Sequence, residues 1–235
     1  MKKIIIVRHG QSIWNLENKF TGWTDVELSK KGIEEAKKAG KLLKELNYNF
    51  DIAYTSTLKR ANDTLYYILK ELNNKDIPIY YTYKLNERHY GALQGLNKDD
   101  MREKYGNQQV QLWRRSINVK PPALTKDDPR YPGNNPKYKN INKEELPLSE
   151  SLLDTIKRVK EYWTNEILPQ IKNNKKIIIV AHGNSIRALI SFIENLKEQE
   201  TINLEIDTGR PICYEFDDNT NPIKYYYIDK NQKNT

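Results

Sequence analysis

The chain has 235 residues, a net charge of +8 and one cysteine, Cys213. A single cysteine excludes an internal disulfide framework and suits a reducing compartment, so a cytoplasmic protein is expected. No apolar run approaches the roughly 18–20 residues of a membrane span, the start charges again at Arg8 too early for a signal peptide, and the lysines are scattered rather than gathered into a basic arm, which argues against a nucleic-acid partner.

Without a Ser/Gly linker or a break in composition, one domain spanning 1–235 is expected. The first element is the β-branched run Ile4-Ile5-Ile6-Val7, stopped by Arg8-His9-Gly10. Residues 10–20 are polar and irregular, and Thr21-Gly22-Trp23 makes a turn. Ser29 is placed to cap a helix over 30–46, with Ile33, Ala36, Leu42, Leu43 and Leu46 as its apolar stripe. A strand at 51–56, a helix at 59–72 and a weak strand at 79–83 follow. That order is the doubly wound α/β pattern.

From 85 to 148 the rhythm breaks. Short helices are expected at 98–105 and 108–117, then comes a tract holding Pro121, Pro122, Pro129, Pro132, Pro136 and Pro147. The stretch reads as an insertion capping the sheet edge, with Tyr131, Pro132 and Gly133 as candidate lid residues. Ser149 is placed to cap a long helix to 171 that bends near Pro169. A second run, Ile177-Ile178-Ile179-Val180, ends in Ala181-His182-Gly183 and leads into a helix to 196. Strands at 211–216 and 223–228 form an antiparallel edge pair, and the tail 229–235 is expected to be disordered. The fold class is therefore α/β: a mostly parallel sheet with helices on both faces and one antiparallel edge.

Two of the three histidines stand at the exits of near-identical strands. Each alone would read as a histidine closing an ordinary core strand. If both strands belong to one parallel sheet, the two imidazoles meet at the edge where open α/β sheets hold ligands. Imidazole is a competent nucleophile toward phosphorus, Arg8 is a bidentate partner for phosphoryl oxygens, and Ser12 and Asn15 add neutral donors. Gly10 would let the backbone approach a bound group. His182, Gly183 and Asn184 start a helix, whose N–H groups favour anions. Arg60 begins another helix on the same edge, with a surface salt bridge as its plain alternative. Glu87 is the carboxylate placed to move a proton. Lys98 could bind phosphate or simply face solvent. Arg114 and Arg115 adjoin on a helix, where neighbours do not share a face, so one of them would be structural. Metal-ligand spacing and nucleotide-binding loops are missing, so no metal is expected.

The motifs Arg8-His9-Gly10-Gln11-Ser12, Phe20-Thr21-Gly22-Trp23, Leu58-Lys59-Arg60-Ala61, Glu87-Arg88-His89-Tyr90-Gly91-Ala92-Leu93-Gln94-Gly95-Leu96-Asn97-Lys98, Trp113-Arg114-Arg115 and Ala181-His182-Gly183-Asn184-Ser185 resemble those of the cofactor-dependent phosphoglycerate mutases of the histidine phosphatase superfamily. The resemblance implies that His9 is phosphorylated during turnover, that Glu87 is the proton donor and acceptor, and that His182, Arg8, Arg60 and Asn184 surround the transferring group. It places Gly10, Gln11, Ser12, Asn15, Thr21, Gly22, Arg88, His89, Tyr90, Lys98, Arg114, Arg115 and Gly183 against the substrate, and is the reason for keeping both adjacent arginines. It further implies interconversion of 3-phosphoglycerate and 2-phosphoglycerate, priming by 2,3-bisphosphoglycerate, and a homodimer or homotetramer. Gln11 stands where many relatives have Glu, and Asp207 where they often have Pro. The chain also stops at Thr235, short of many relatives, so greater leakage to hydrolysis is expected.

Overall fold

The computed structural model describes residues 1–230. Most of the tail expected to be disordered lies outside them, but Asp229 and Lys230 form ion pairs with Arg210 and Glu45. The first half runs β1 (Lys2–Arg8), α1 (Ile13–Leu16), α2 (Lys30–Glu45), β2 (Ile52–Thr55), α3 (Lys59–Leu72), β3 (Ile79–Tyr81), α4 (Lys98–Tyr105) and α5 (Asn107–Arg115). The second half runs α6 (Leu152–Tyr162), α7 (Leu168–Lys172), β4 (Ile177–Ala181), α8 (Gly183–Ile193), α9 (Glu198–Asn203), β5 (Pro211–Phe216) and β6 (Pro222–Tyr227).

The six strands lie in the order β3-β2-β4-β1-β5-β6. β1 to β4 are parallel, β5 runs against β1, and β6 runs against β5. The two near-identical runs are each other's neighbours: Ile4 pairs with Ile177, and so on to Arg8 with Ala181. Alternate side chains of the central strands leave on opposite faces. Ile4, Ile6, Ile177 and Ile179 pack toward α6 and α8, while Ile5, Val7, Ile178 and Val180 pack toward α2 and α3. Burial on both faces is why these runs are unbroken Ile and Val.

The structure departs from expectation where local chemistry overrides pattern. Ser12 and Asn15 form a capping box that starts α1, a helix too short to show periodicity. The long helix is capped by Ser151, not Ser149, because Glu150 is drawn back into extended chain by the bond from its N–H to the His89 carbonyl (2.8 Å). That helix then widens to a π-helical stretch, Trp163–Ile167, before α7. Pro169 lacks an N–H and crowds the carbonyl four residues earlier, inside this stretch. Helix α9 had no sequence signal. The proline-rich tract is packed rather than loose: Leu124, Tyr131, Tyr138 and Leu146 enclose Trp23 and Tyr83, while Met101, Val110 and Trp113 close over Phe20 and Leu93.

Candidate active site

The pairing of β1 with β4 sets the chemistry, because both strands end at the same height and the His9 N–H donates to the Ala181 carbonyl (2.9 Å). The rings of His9 and His182 are 4.9 Å apart between centroids and inclined by 60°. His9 Nδ1 lies 2.6 Å from the Gly10 carbonyl. A carbonyl only accepts, so Nδ1 carries the proton and Nε2 keeps its lone pair. Burial, then Arg60, then Arg8, hold the His9 pKa well below 6.5. His182 is likewise held low by burial, Arg60, His9 and the more distant arginines, and its Nε2 lies 2.8 Å from Ser56 Oγ. Both imidazoles are therefore neutral at neutral pH.

Around them is a cavity of about 200 Å³ lined by Arg8, Lys19, Arg60, Lys98, Arg114, Arg115 and Arg187, with Glu87 and Glu205 as its carboxylates. Arg60, at the start of α3, is fully enclosed and forks onto the carbonyls of Thr24 (2.9 Å) and Gly22 (2.7 Å), so the surface salt bridge is excluded. Burial lowers its pKa to about 10, which leaves it cationic. Lys98 is lowered to about 8 by burial and then by Arg114, Arg102 and Arg8. Two buried polar atoms of lining residues have no protein partner, Arg8 Nε and Thr21 Oγ1, and neither has Nδ1 of His182, just behind the lining. Orphaned donors of this kind mark the place of a ligand.

Glu87 is fixed at the mouth of α8. Its Oε1 accepts from the N–H groups of Arg88 (2.8 Å) and Asn184 (3.1 Å), so the positive end of the helix is turned on this carboxylate. Asn184 in turn donates to Tyr90 Oη (3.1 Å) and accepts from Arg187 (2.5 Å). The segment before β5 straps the cationic wall: Arg8 donates to the Ile206 carbonyl (2.7 Å), Arg187 to Leu204 (2.9 Å), and Arg115 to Glu205 (2.5 Å).

His9, Arg8, Asn15, Thr21, Gly22, Arg60, Glu87, Tyr90, Lys98, Arg114, Arg115, Gly183 and Asn184 are thus brought together from the sequence expectation. Both adjacent arginines reach the cavity, since they end α5 and their long side chains converge. Gly10, Gln11, Ser12, Arg88 and His89 do not line it, nor does His182, which sits behind the lining against the His9 ring. A Cβ on Gly10 would lie 2.2 Å from the Gly32 carbonyl oxygen, so its smallness admits helix α2 rather than a ligand. Gln11 accepts from Ser29 and Ser12 caps α1. Arg88 is buried and donates to the carbonyls of Glu150 and Val119 (both 2.8 Å). His89 is buried with Nδ1 accepting from Gly91 N–H (3.0 Å). Tyr131 and Pro132 are buried in the insertion and, like Gly133, do not line the cavity; the insertion reaches it through Glu87, Tyr90, Lys98, Arg114 and Arg115. Of the charged lining residues, Lys19, Arg187 and Glu205 were missed. Arg187 was legible as the residue three after Asn184 on one helix face, whereas nothing marked Glu205. A larger cleft, about 710 Å³, lies beside α6 and contains neither His9 nor His182.

The buried histidines make acid destabilising. His9, His182 and His89 have folded pKa values below the unfolded 6.5, with His89 lowered to about 4 mainly by burial. Between the folded and unfolded values only the unfolded chain binds the proton, so their contribution is complete above 6.5 and lost as pH falls through it. Each costs roughly 1.4 kcal/mol per pH unit well inside its window. Calorimetry is expected to show a melting temperature that is level above about pH 7 and falls as pH drops from 6.5 to 5. A flat profile would contradict buried, neutral histidines.

The chain belongs to the histidine phosphatase superfamily (branch 1), whose family model matches residues 4–229. It is accordingly a phosphatase or phosphotransferase enzyme. Among solved structures it is similar to a mycobacterial glucosyl-3-phosphoglycerate phosphatase, at 19% identity over 97% of each chain and a TM-score of 0.72. The alpha-ribazole phosphatase of Shigella flexneri matches at 19% identity over 94% of each chain, with a TM-score of 0.71. A phosphoserine phosphatase of Entamoeba histolytica, in complex with 3-phosphoglyceric acid, matches at 21% identity over 98% of each chain and 0.68.

Proposed function

We propose that the protein is a phosphoglycerate mutase that interconverts 3-phosphoglycerate and 2-phosphoglycerate through phosphorylated His9, in the cytoplasm. The observation that carries this reading is the concentration of positive charge around the small cavity. Arg8, Lys19, Arg60, Lys98, Arg114, Arg115 and Arg187 line it against two carboxylates, Glu87 and Glu205. A compact acid that carries a phosphate together with a carboxylate or a second phosphate fits such a lining. The cavity is smaller than the roughly 300–1,000 Å³ of pockets for drug-sized ligands.

2,3-Bisphosphoglycerate, held by Arg8, Arg60, Lys98, Arg114 and Arg115, would prime His9 by giving a phosphoryl group to Nε2 as an O–P bond breaks and Glu87 protonates the leaving oxygen. The C2 hydroxyl of 3-phosphoglycerate then attacks phosphorus, the N–P bond breaks with its electrons returning to Nε2, and Glu87 takes the hydroxyl proton. After the bisphosphorylated product turns in the cavity, Nε2 attacks the phosphorus at C3. The O–P bond breaks, and Glu87 returns the proton to the C3 oxygen. Arg8, Arg60 and His182 offset the charge on the transferring oxygens throughout.

A phosphatase reading is favoured by the names of the similar structures, and it needs only water in place of the hydroxyl. Phosphorus NMR with 3-phosphoglycerate separates the two. Formation of 2-phosphoglycerate, accelerated by trace 2,3-bisphosphoglycerate, is the expected result. Inorganic phosphate as the main product would establish the phosphatase instead.

A further inference from the structure

Glu87 belongs to a segment whose position is set by a side chain outside the cavity. Arg158, on α6, is buried and spends its guanidinium donors entirely on protein acceptors. Nε and Nη2 bind the two carboxylate oxygens of Glu150 (2.7 and 2.9 Å), Nη1 binds the carbonyls of Lys84 (2.8 Å) and Asn86 (2.9 Å), and Nη2 also binds the carbonyl of Glu87 (2.9 Å). A guanidinium has five N–H donors, so none is left for a ligand. Glu150 grips the same segment from the other side. Its carboxylate accepts from the His89 N–H (2.8 Å), its carbonyl from Arg88 Nε (2.8 Å), and its own N–H donates to the His89 carbonyl (2.8 Å). Trp23 Nε1 adds a second donor to the Glu87 carbonyl (2.5 Å), and its ring lies 5.7 Å from the Arg158 guanidinium.

The chain from Lys84 to His89 is therefore wrapped around a buried ion pair. Truncating either partner would leave an uncompensated charge, and the planar fork fixes its carbonyl partners in one plane, which the point charge of a lysine does not reproduce. We propose that Arg158, locked by Glu150, is a positioning residue that holds Glu87 at the geometry proton transfer requires. This rests on the acid–base role of Glu87 in the reading above.

The test is a double-mutant cycle on kcat and KM in the phosphoglycerate mutase assay, using Arg158→Lys, Glu87→Gln and the double variant. Arg158→Lys is expected to lower kcat on the order of 10- to 100-fold with KM within about twofold, because misplacement of a reacting group slows the chemistry more than binding. The double variant is expected to be no slower than Glu87→Gln alone. Losses that multiply, or a kcat unchanged while only the melting temperature falls, would overturn the positioning role and leave Glu87 as acid–base. Full activity of Glu87→Gln would overturn both. If Arg158→Lys does not fold, Trp23→Phe removes one donor to the same carbonyl: a lowered kcat that is not additive with Glu87→Gln supports the proposal, and an unchanged kcat overturns it.

Discussion

His9→Ala is expected to abolish phosphoenzyme formation and lower turnover by on the order of 10⁴-fold or more, since removing a covalent nucleophile removes the whole two-step route. The ring is presented on a finished strand, tied by Nδ1 to the Gly10 carbonyl (2.6 Å), with its neutrality secured by burial between Arg60 and Arg8. Neither cation is held by His9: Arg60 forks onto Thr24 and Gly22, and Arg8 donates to Ile206. The variant should therefore still bind phosphoglycerate, with a dissociation constant near that of the parent by calorimetric titration. Turnover within tenfold of the parent would remove His9 from the reaction.

Glu87→Gln is expected to lower kcat by about 10²- to 10⁴-fold, the usual worth of a positioned acid–base group. The amide can keep one oxygen on the Arg88 and Asn184 N–H groups, so KM should change little. Both half-reactions should slow together, because one carboxylate takes the proton in the first and returns it in the second. Rapid-quench measurement of phosphohistidine loading and discharge checks this. A variant slowed in only one half would require a second proton carrier.

How much of this could be read in advance follows the range of the forces involved. The central strands and helix α2 were legible because continuous β-branched runs and period-3.6 stripes are local patterns. The doubled His-Gly exits pointed to the active-site edge, and strand pairing in register is what realises it. Arg88, His89 and Ser12 misled because motif density does not distinguish a residue that touches the ligand from one that supports it. Arg88 is used up on backbone carbonyls and Ser12 on a helix cap. Glu205 was invisible because its place beside Arg115 depends on how a loop closes over the sheet edge from far along the chain. Glu150 and Arg158 carried no sequence signal for a related reason: their partners, Lys84 to His89, lie in a distant irregular segment.

The position of β1 in the sheet also governs when the protein can come into being on the ribosome. Its two neighbours are β4 and β5, both made long after it, whereas β2 and β3 are neighbours in the chain as well as in the sheet. The apolar stretch Ile4–Val7 therefore has no native strand partner until β4 has been made, and non-local pairing of this kind is slow and exposed to intermolecular association. Pairing with β4 covers one edge of that stretch and sets His9 beside His182. A nascent chain that has not reached His182 has no reactive centre, so the pairing that covers the first strand is also the one that assembles the site.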